Sequence, residues 1–143
     1  MKGNIFTSII GIIGGALSTA FGGWDSALTT LLIFMLIDYV SGIVVAALFK
    51  KSTKTETGAL ESKTCWKGLA KKCMTLLFVL IGTRLDMAIG TTYIRDAVCI
   101  AFMANELLSI VENAGLMGVP IPSVITNAID VLKGKKEGSE NNE

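Results

Sequence analysis

The sequence predicts an all-α membrane protein with four transmembrane helices and a short amphipathic helix after the fourth. Charged residues make up 17% of the 143 residues, whereas soluble domains carry about a quarter. Most of the charge lies in residues 50–72 and after Asp130. The remainder forms four long apolar stretches, each close to the ~20 residues that a helix needs to cross the hydrocarbon core. The predicted spans are 5–21, 27–49, 73–94 and 97–119.

The composition argues against several functional classes. The formal net charge is +1 and no basic face with interleaved aromatic residues occurs, so we expect no nucleic-acid partner. The sequence has no histidine, and Cys65, Cys73 and Cys99 lack Cys-x-x-Cys spacing, so we expect no metal and no cofactor. Phosphate-loop and nucleophile-elbow motifs do not occur either, which predicts a protein that is not an enzyme.

The first stretch, 5–21, is rich in glycine. Gly11 and Gly15 lie four residues apart, a spacing typical of transmembrane helices that pack closely, and Gly42 and Ala46 repeat it in the second stretch. The first stretch also has features of a secretory signal peptide: a basic start, a short apolar core and small residues near its end. Three outcomes remain open for it: a membrane span, a helix on the membrane surface, or removal by cleavage.

The second and third stretches each carry a charged residue near the centre. Asp38 lies eleven residues into the second, and Arg84 lies eleven residues into the third, which runs in the opposite direction. With a rise of ~1.5 Å per residue, both side chains are expected near the bilayer midplane. Charged groups at this depth pair with one another or line water. We predict an intramembrane Asp38–Arg84 ion pair, with separate hydration of the two side chains as the alternative.

The lysines predict the orientation of the chain. Residues 50–72 contain seven lysines against two glutamates, while the links 22–26 and 95–96 contain no lysine. Lysine also precedes the first stretch and follows the last one. Because lysine-rich loops remain in the cytoplasm, both termini and the basic loop 50–72 are predicted to be cytoplasmic. This orientation requires an even number of spans in the bacterial cytoplasmic membrane.

The fourth stretch carries a polar stripe. Five polar residues occur within nine positions, and four of them share one helical face. Facing lipid, so many polar groups would lack hydrogen-bond partners, so the stripe is predicted to line a pore or a contact between subunits. A polar core within a single protomer is the alternative. The stripe consists of Asn105, Glu106, Ser109, Glu112 and Asn113.

The segment after the fourth stretch is predicted to leave the membrane. Pro120 and Pro122 interrupt the helix, and Ser123 can cap a short helix over 123–132 whose apolar residues share one face. We expect this helix to lie on the cytoplasmic surface. The final residues, 133–143, are polar and charged, which is typical of a disordered tail.

Four motifs resemble the toxin-secretion/phage-lysis holin family, found in phages of Gram-positive bacteria and in clostridial toxin loci. The likeness covers residues 28–132, and the last two motifs, which adjoin each other, are the most specific. The motifs are Asp38-Tyr39-x-Ser41-Gly42, Lys67-Gly68-x-x-Lys71-Lys72, Asn105-Glu106-x-x-Ser109-Ile110-x-Glu112-Asn113 and Gly118-x-Pro120-x-Pro122.

The resemblance implies a small phage protein that accumulates in the cytoplasmic membrane of the host and then forms homo-oligomers. The resulting lesions would release an endolysin or a toxin and lead to host cell lysis. The residues alone indicate only a self-associating protein of the lipid bilayer. A small four-span proton-coupled transporter or ion channel is therefore the alternative function, and a structural membrane subunit without a pore is a third.

Overall fold

The computed structural model describes residues 2–140 and shows five helices joined by links and one longer loop. Strands do not occur in this part of the chain. The second helix continues as a π-helical turn, Val45–Phe49. The helices are α1 (Lys2–Ala20), α2 (Ser26–Val44), α3 (Ser62–Ile89), α4 (Ile94–Leu116) and α5 (Ser123–Glu140).

Three of the helices, α2, α3 and α4, form a bundle in which α4 packs against both of the others. Leu28, Leu31 and Met35 are spaced at i, i+3 and i+7, so they share one face of α2. This face is buried together with Val79 of α3 and Cys99 of α4, both of which are 0% exposed. The apolar core therefore lies toward the end of the bundle where α2 and α4 begin.

The outer surface of the bundle is also apolar. Large side chains point away from the core, among them Leu36 at 64%, Leu48 at 76% and Leu77 at 50% exposure. Soluble monomers rarely expose apolar surface on this scale, and a surface that faces lipid must do so. Two helical segments, Gly3–Ala20 and Ser26–Phe49, are long and apolar enough to cross a membrane. The four predicted spans remain a prediction.

Helix α1 lies apart from the bundle. Its apolar side chains are exposed, with Ile12 at 72% and Phe6 at 66%. A Cβ atom added to Gly11 or Gly15 would find no atom within 4 Å. These glycines therefore do not pack against the described remainder of the protomer, and the close contact predicted for them requires a second molecule.

The third helix begins and ends earlier than predicted. It starts at Ser62 rather than at residue 73, so half of the predicted basic loop is helical and the actual loop is 50–61. It ends at Ile89, and the cap residue Gly90 has a φ of +80° that suits glycine, with the Gly90 N–H donating to the Asp86 carbonyl at 2.9 Å. The lysine-rich turns fold as helix because they extend an apolar helix that is already formed, and extension costs less than nucleation.

The C-terminal helix is longer than predicted. The sequence indicated a helix over 123–132 and disorder from 133, whereas α5 continues to Glu140. Residues 141–143 of the predicted tail lie outside the described residues. The helix packs against α4 and buries Ile129, while Val124 and Val131 remain exposed. This anchored first half allows the polar second half to remain helical.

Candidate functional site

The centre of the bundle holds a buried ionic network to which α2, α3 and α4 each contribute one residue. The Lys72 ammonium of α3 contacts the Asp38 carboxylate of α2 at 2.8 Å and the Glu106 carboxylate of α4 at 2.5 Å. The three side chains are only 8–13% exposed. One cation thus bridges two anions, and the contact joins all three helices at the same level.

Asn113 extends this network along α4. Its amide donates to Asp38 Oδ1 at 3.2 Å and to Ser41 Oγ at 2.9 Å. Gly42 lies beside this contact, and a Cβ atom there would be at an ordinary van der Waals distance, 3.7 Å, from the Asn113 amide nitrogen. The family-like motif around Asp38 therefore supplies a carboxylate, a hydroxyl and a small residue to a single contact with α4.

The energetics of the network depend on its completeness. A single charged side chain at the centre of a membrane helix costs about 2.5–3.5 kcal/mol. Buried charges are tolerated when they pair and hydrogen-bond, and removing one partner from such a pair costs about 3–5 kcal/mol. The Lys72 ammonium and the Asn113 amide fill this role for the two carboxylates.

A cleft connects the network to the loop end of the bundle. It is lined by the second half of α2, the start of α3 and the loop 50–61, and it reaches Asp38. Lys54 of the loop lies 4.0 Å from Asp38 Oδ1. The loop is itself ordered, since the Ser52 N–H donates to the Gly58 carbonyl at 3.0 Å. Water entering from this end would meet the network first at Asp38.

A second polar cluster ties the opposite end of the bundle together. Arg95 donates to both carboxylate oxygens of Asp25, at 2.6 and 3.2 Å, and to the Phe21 carbonyl at 2.7 Å. The Arg95 side chain lowers the pKa of the Asp25 carboxyl from its usual value. Asp25 also caps α2 by accepting from the Leu28 N–H at 2.9 Å. This cluster fixes the α1–α2 link against the start of α4.

Asp86 has a comparable role at the turn between α3 and α4. Its carboxylate accepts from the backbone N–H groups of Ile94 and Arg95 and from the Thr91 hydroxyl. A carboxylate in this position satisfies unpaired donors of the first turn of α4 and complements the helix dipole. We assign Asp86 to the structure of the helical hairpin.

The predicted Asp38–Arg84 ion pair is not formed in the structure, which pairs Asp38 with Lys72. Arg84 is exposed, and its guanidinium donates a hydrogen bond to Met87 Sδ at 3.6 Å. Its neighbour Thr83 lies beside Gly22, before the start of α2. Asp38 is twelve residues along α2, so the two charges are separated by roughly 18 Å of helix. The predicted pairing was wrong because α3 begins at Ser62 rather than at residue 73. Arg84 therefore lies near the end of α3 and not at its centre.

The polar stripe of α4 divides into two parts. Glu106 and Asn113 face the network, and Ser109 is half-buried between them, whereas Asn105 and Glu112 are exposed. Among the described residues, neither Asn105 nor Glu112 forms a side-chain hydrogen bond or an ion pair. The predicted alternative of a polar core within one protomer thus describes Glu106 and Asn113. Asn105 and Glu112 are exposed and can contact water or another molecule.

Sequence reasoning missed Lys72 as a partner within the bundle. The resemblance included this residue in a lysine motif. Because it follows a polar segment that was predicted as a loop, the sequence did not indicate that its side chain points into the bundle. Lys72 lies nine residues after Lys63 on the same helix, which turns it ~180° away from that exposed side chain. Recognising the helical start at Ser62 would have separated the inward lysine from the outward ones.

Two comparisons with known proteins point to the same family. The sequence model of the bacteriophage holin family matches residues 15–134. An uncharacterised protein of Listeria innocua is 37% identical over 134 residues, covering 92% of this chain and 90% of the relative. A protein of Bacillus phage phi105 named "Probable holin" is 30% identical over 111 residues, covering 77% and 76%. No solved structure matches the chain.

Proposed function

We propose, from the fact that this chain belongs to the bacteriophage holin family, that it oligomerises in the bacterial cytoplasmic membrane and forms lesions there. An endolysin or a toxin would leave the cell through these lesions. The observation that carries the proposal is the family match over most of the chain. The exposed polar edge of α4 on an otherwise apolar bundle gives the mechanism a physical basis.

The bundle has the dimensions and the surface of a membrane domain. Trp24 and Tyr93 are exposed in the two links at one end, and Trp66 is 71% exposed near the other end of α3. Aromatic residues concentrate at both interfaces of a bilayer. From Trp66 to the end of α3 at Ile89 the helix rises ~35 Å, enough to cross a hydrocarbon core of ~30 Å. We place α2, α3 and α4 across the membrane, with α1 as the fourth span.

The residues that can drive assembly are the two that the protomer leaves unsatisfied. Asn105 and Glu112 are seven residues apart, so they lie two turns apart on the same edge of α4. In lipid, a polar edge of this kind is unfavourable until a second copy or water covers it. The buried network instead holds each protomer together, and Glu106 and Asn113 are therefore assigned to the interior rather than to the lesion.

A proton-coupled transporter is the second candidate, because the cleft leads from the loop to a buried carboxylate pair. The two functions differ in what crosses the membrane. Lesions pass folded proteins, whereas a transporter passes small solutes along a gradient. Release of an entrapped protein of endolysin size from proteoliposomes supports the holin, and gradient-driven solute uptake by sealed proteoliposomes supports the transporter.

The decisive experiment expresses the chain together with a cytoplasmic endolysin and follows culture lysis. The single variants Asn105→Leu and Glu112→Leu should enter the membrane in normal amounts but delay or abolish lysis, since each removes one polar group of the α4 edge. Leu36→Val changes an exposed apolar residue of α2 and serves as the matched control with unchanged timing. Wild-type lysis timing in both α4 variants would contradict the assembly mechanism, and absence of lysis with the wild-type chain would contradict the function.

A further inference from the structure

Helix α3 carries a row of exposed lysines. Lys63, Lys67 and Lys71 are spaced at i, i+4 and i+8 and are exposed, while the next residue, Lys72, turns into the bundle. The ion pairs formed within the described residues involve none of these three lysines. Farther along the same face the exposed side chains become apolar, at Met74, Phe78, Ile81 and Leu85.

The lysine row and the polar edge of α4 lie at the same depth. Two contacts fix the register between the antiparallel helices: Gly82 lies against the Arg95 backbone, and Lys72 contacts Glu106. Counting from Arg95, Glu112 lies seventeen residues farther along α4. Because the helices are antiparallel, the matching position on α3 lies seventeen residues before Gly82, at residue 65, midway between Lys63 and Lys67.

The same register places Asn105 ten residues along α4 from Arg95, opposite position 72 and thus beside Lys71. Protomers inserted in one orientation keep these levels. The α4 edge of one copy, with an amide and a carboxylate, therefore matches the α3 face of the next, with its row of ammonium groups.

We propose that these two faces bind each other, so that the α3 lysine row of one protomer docks on the Asn105–Glu112 edge of a second copy. Charge complementarity at equal depth carries the assignment: Lys67 and Glu112 lie at the level of Trp66, near the membrane surface, where opposite charges in close contact attract each other. The proposal rests on the oligomerisation proposed above and names its interface. Lys67 and Glu112 are the central pair.

The geometry of this contact explains how assembly could continue. The two faces differ, so the contact is heterologous: each added copy leaves one free lysine row and one free α4 edge at the ends of the assembly. Such contacts close into rings or extend into open arcs, depending on the rotation between neighbours. The number of protomers is therefore not limited to two.

Charge reversal tests the pair. Lys67→Glu and Glu112→Lys should each delay lysis, and the double variant K67E/E112K should recover most of the wild-type timing, because it restores one attraction across the contact. Lys50→Glu in the loop has the same change of charge as K67E and should not be rescued by E112K. If the double variant lyses no better than the single variants while the wild-type chain lyses normally, the interface is wrong and the holin function stands.

Disulfide formation between two differently marked chains gives an independent readout. In chains with Cys65 and Cys73 changed to serine, one copy carries Lys67→Cys and the other Glu112→Cys. Oxidation in the membrane should crosslink the mixed pair and neither variant alone. Crosslinking of Lys67→Cys chains to each other would indicate a symmetric contact and overturn the proposal. Absence of any crosslink would favour another occupant of the lysine row, such as anionic lipid headgroups, and would also overturn it.

Discussion

Lys72 differs from its neighbour Lys71 in one respect that matters: the direction of its side chain. Lys71 is exposed, and Lys72 is the only cation within hydrogen-bond distance of both Asp38 and Glu106 in the described part of the chain. Lysine suits this position because its ammonium offers three donors on a flexible stem. The same residue type thus has a structural role at one position and a surface role at the next.

Lys72→Met should therefore destabilise the protomer by about 3–5 kcal/mol, since two buried carboxylates would lose their shared cation. Thermal unfolding of the helical signal in detergent measures the effect. Lys71→Met is the control, and as a surface change it should stay within about 0.5 kcal/mol.

A second variant separates lost charge compensation from a general packing defect. In K72M/D38N/E106Q both carboxylates are replaced by neutral amides, so the cost of unpaired charge disappears. This triple variant should be more stable than K72M alone. If instead the triple variant is less stable than K72M, the ionic interpretation of the network is wrong.

At the level of whole helices, α3 and α4 approach each other closely at Gly82. A Cβ atom on this residue would lie 3.1 Å from Arg95 Cα and 3.3 Å from Arg95 N. Both are backbone atoms that cannot move without shifting α4. The missing side chain at Gly82 thus brings the two helices together beside the cluster of Arg95 and Asp25.

Gly82→Ala should destabilise the bundle by about 1–3 kcal/mol, the range found when extra atoms are forced into a packed site. Gly11→Ala in α1 is the matched control, because an added Cβ there meets nothing within 4 Å and alanine favours helix by about 1 kcal/mol. Unfolding in detergent should show a lower midpoint for Gly82→Ala and no loss of stability for Gly11→Ala. Equal midpoints for the two variants would contradict the close contact at Gly82.

The sequence predicted some elements more successfully than others for physical reasons. The apolar run 27–49 agrees with α2 and its π-helical turn, and 97–119 agrees with α4 within three residues. The start of α3 was missed because lysine-rich turns resemble a loop when only hydropathy is considered. Helical spacing of Lys63, Lys67 and Lys71 was present in the sequence, but exposed charge does not distinguish helix from loop by itself.

The sequence predicted three residues of the candidate site but neither its lysine nor the pairing of its side chains. Asp38, Glu106 and Asn113 were identified because polar groups in apolar helices need partners. Their actual partners depended on the stagger between the helices: Gly82 of α3 lies against the backbone of Arg95 in α4, and Arg95 in turn holds the α1–α2 link. No property of the isolated helices specifies that stagger.

On the scale of the whole molecule, polar groups are concentrated at three levels. The Asp25–Arg95 cluster closes one end, the Lys72 network crosses the middle, and the loop 50–61 covers the other end. Apolar side chains cover the outer faces between these levels. In the proposed assembly, the exposed α4 edge, the lysine row and the small-residue face of α1 are the surfaces that meet a neighbour.

The position of α1 decides the topology, because α2, α3 and α4 alone would place the two termini on opposite sides of the membrane. We predict that α1 crosses the membrane and that both termini are cytoplasmic.

Single cysteines at Gly3, Ser26 and Thr57, in chains with Cys65 and Cys73 changed to serine, report the side of the membrane on which each position lies. Before lysis begins, a membrane-impermeant maleimide should label Ser26→Cys in intact cells, and should label Gly3→Cys and Thr57→Cys only after permeabilisation. Labelling of Gly3→Cys in intact cells would mean that α1 stays outside, and the small-residue face of Gly11 and Gly15 could then contact neighbours only at the outer surface.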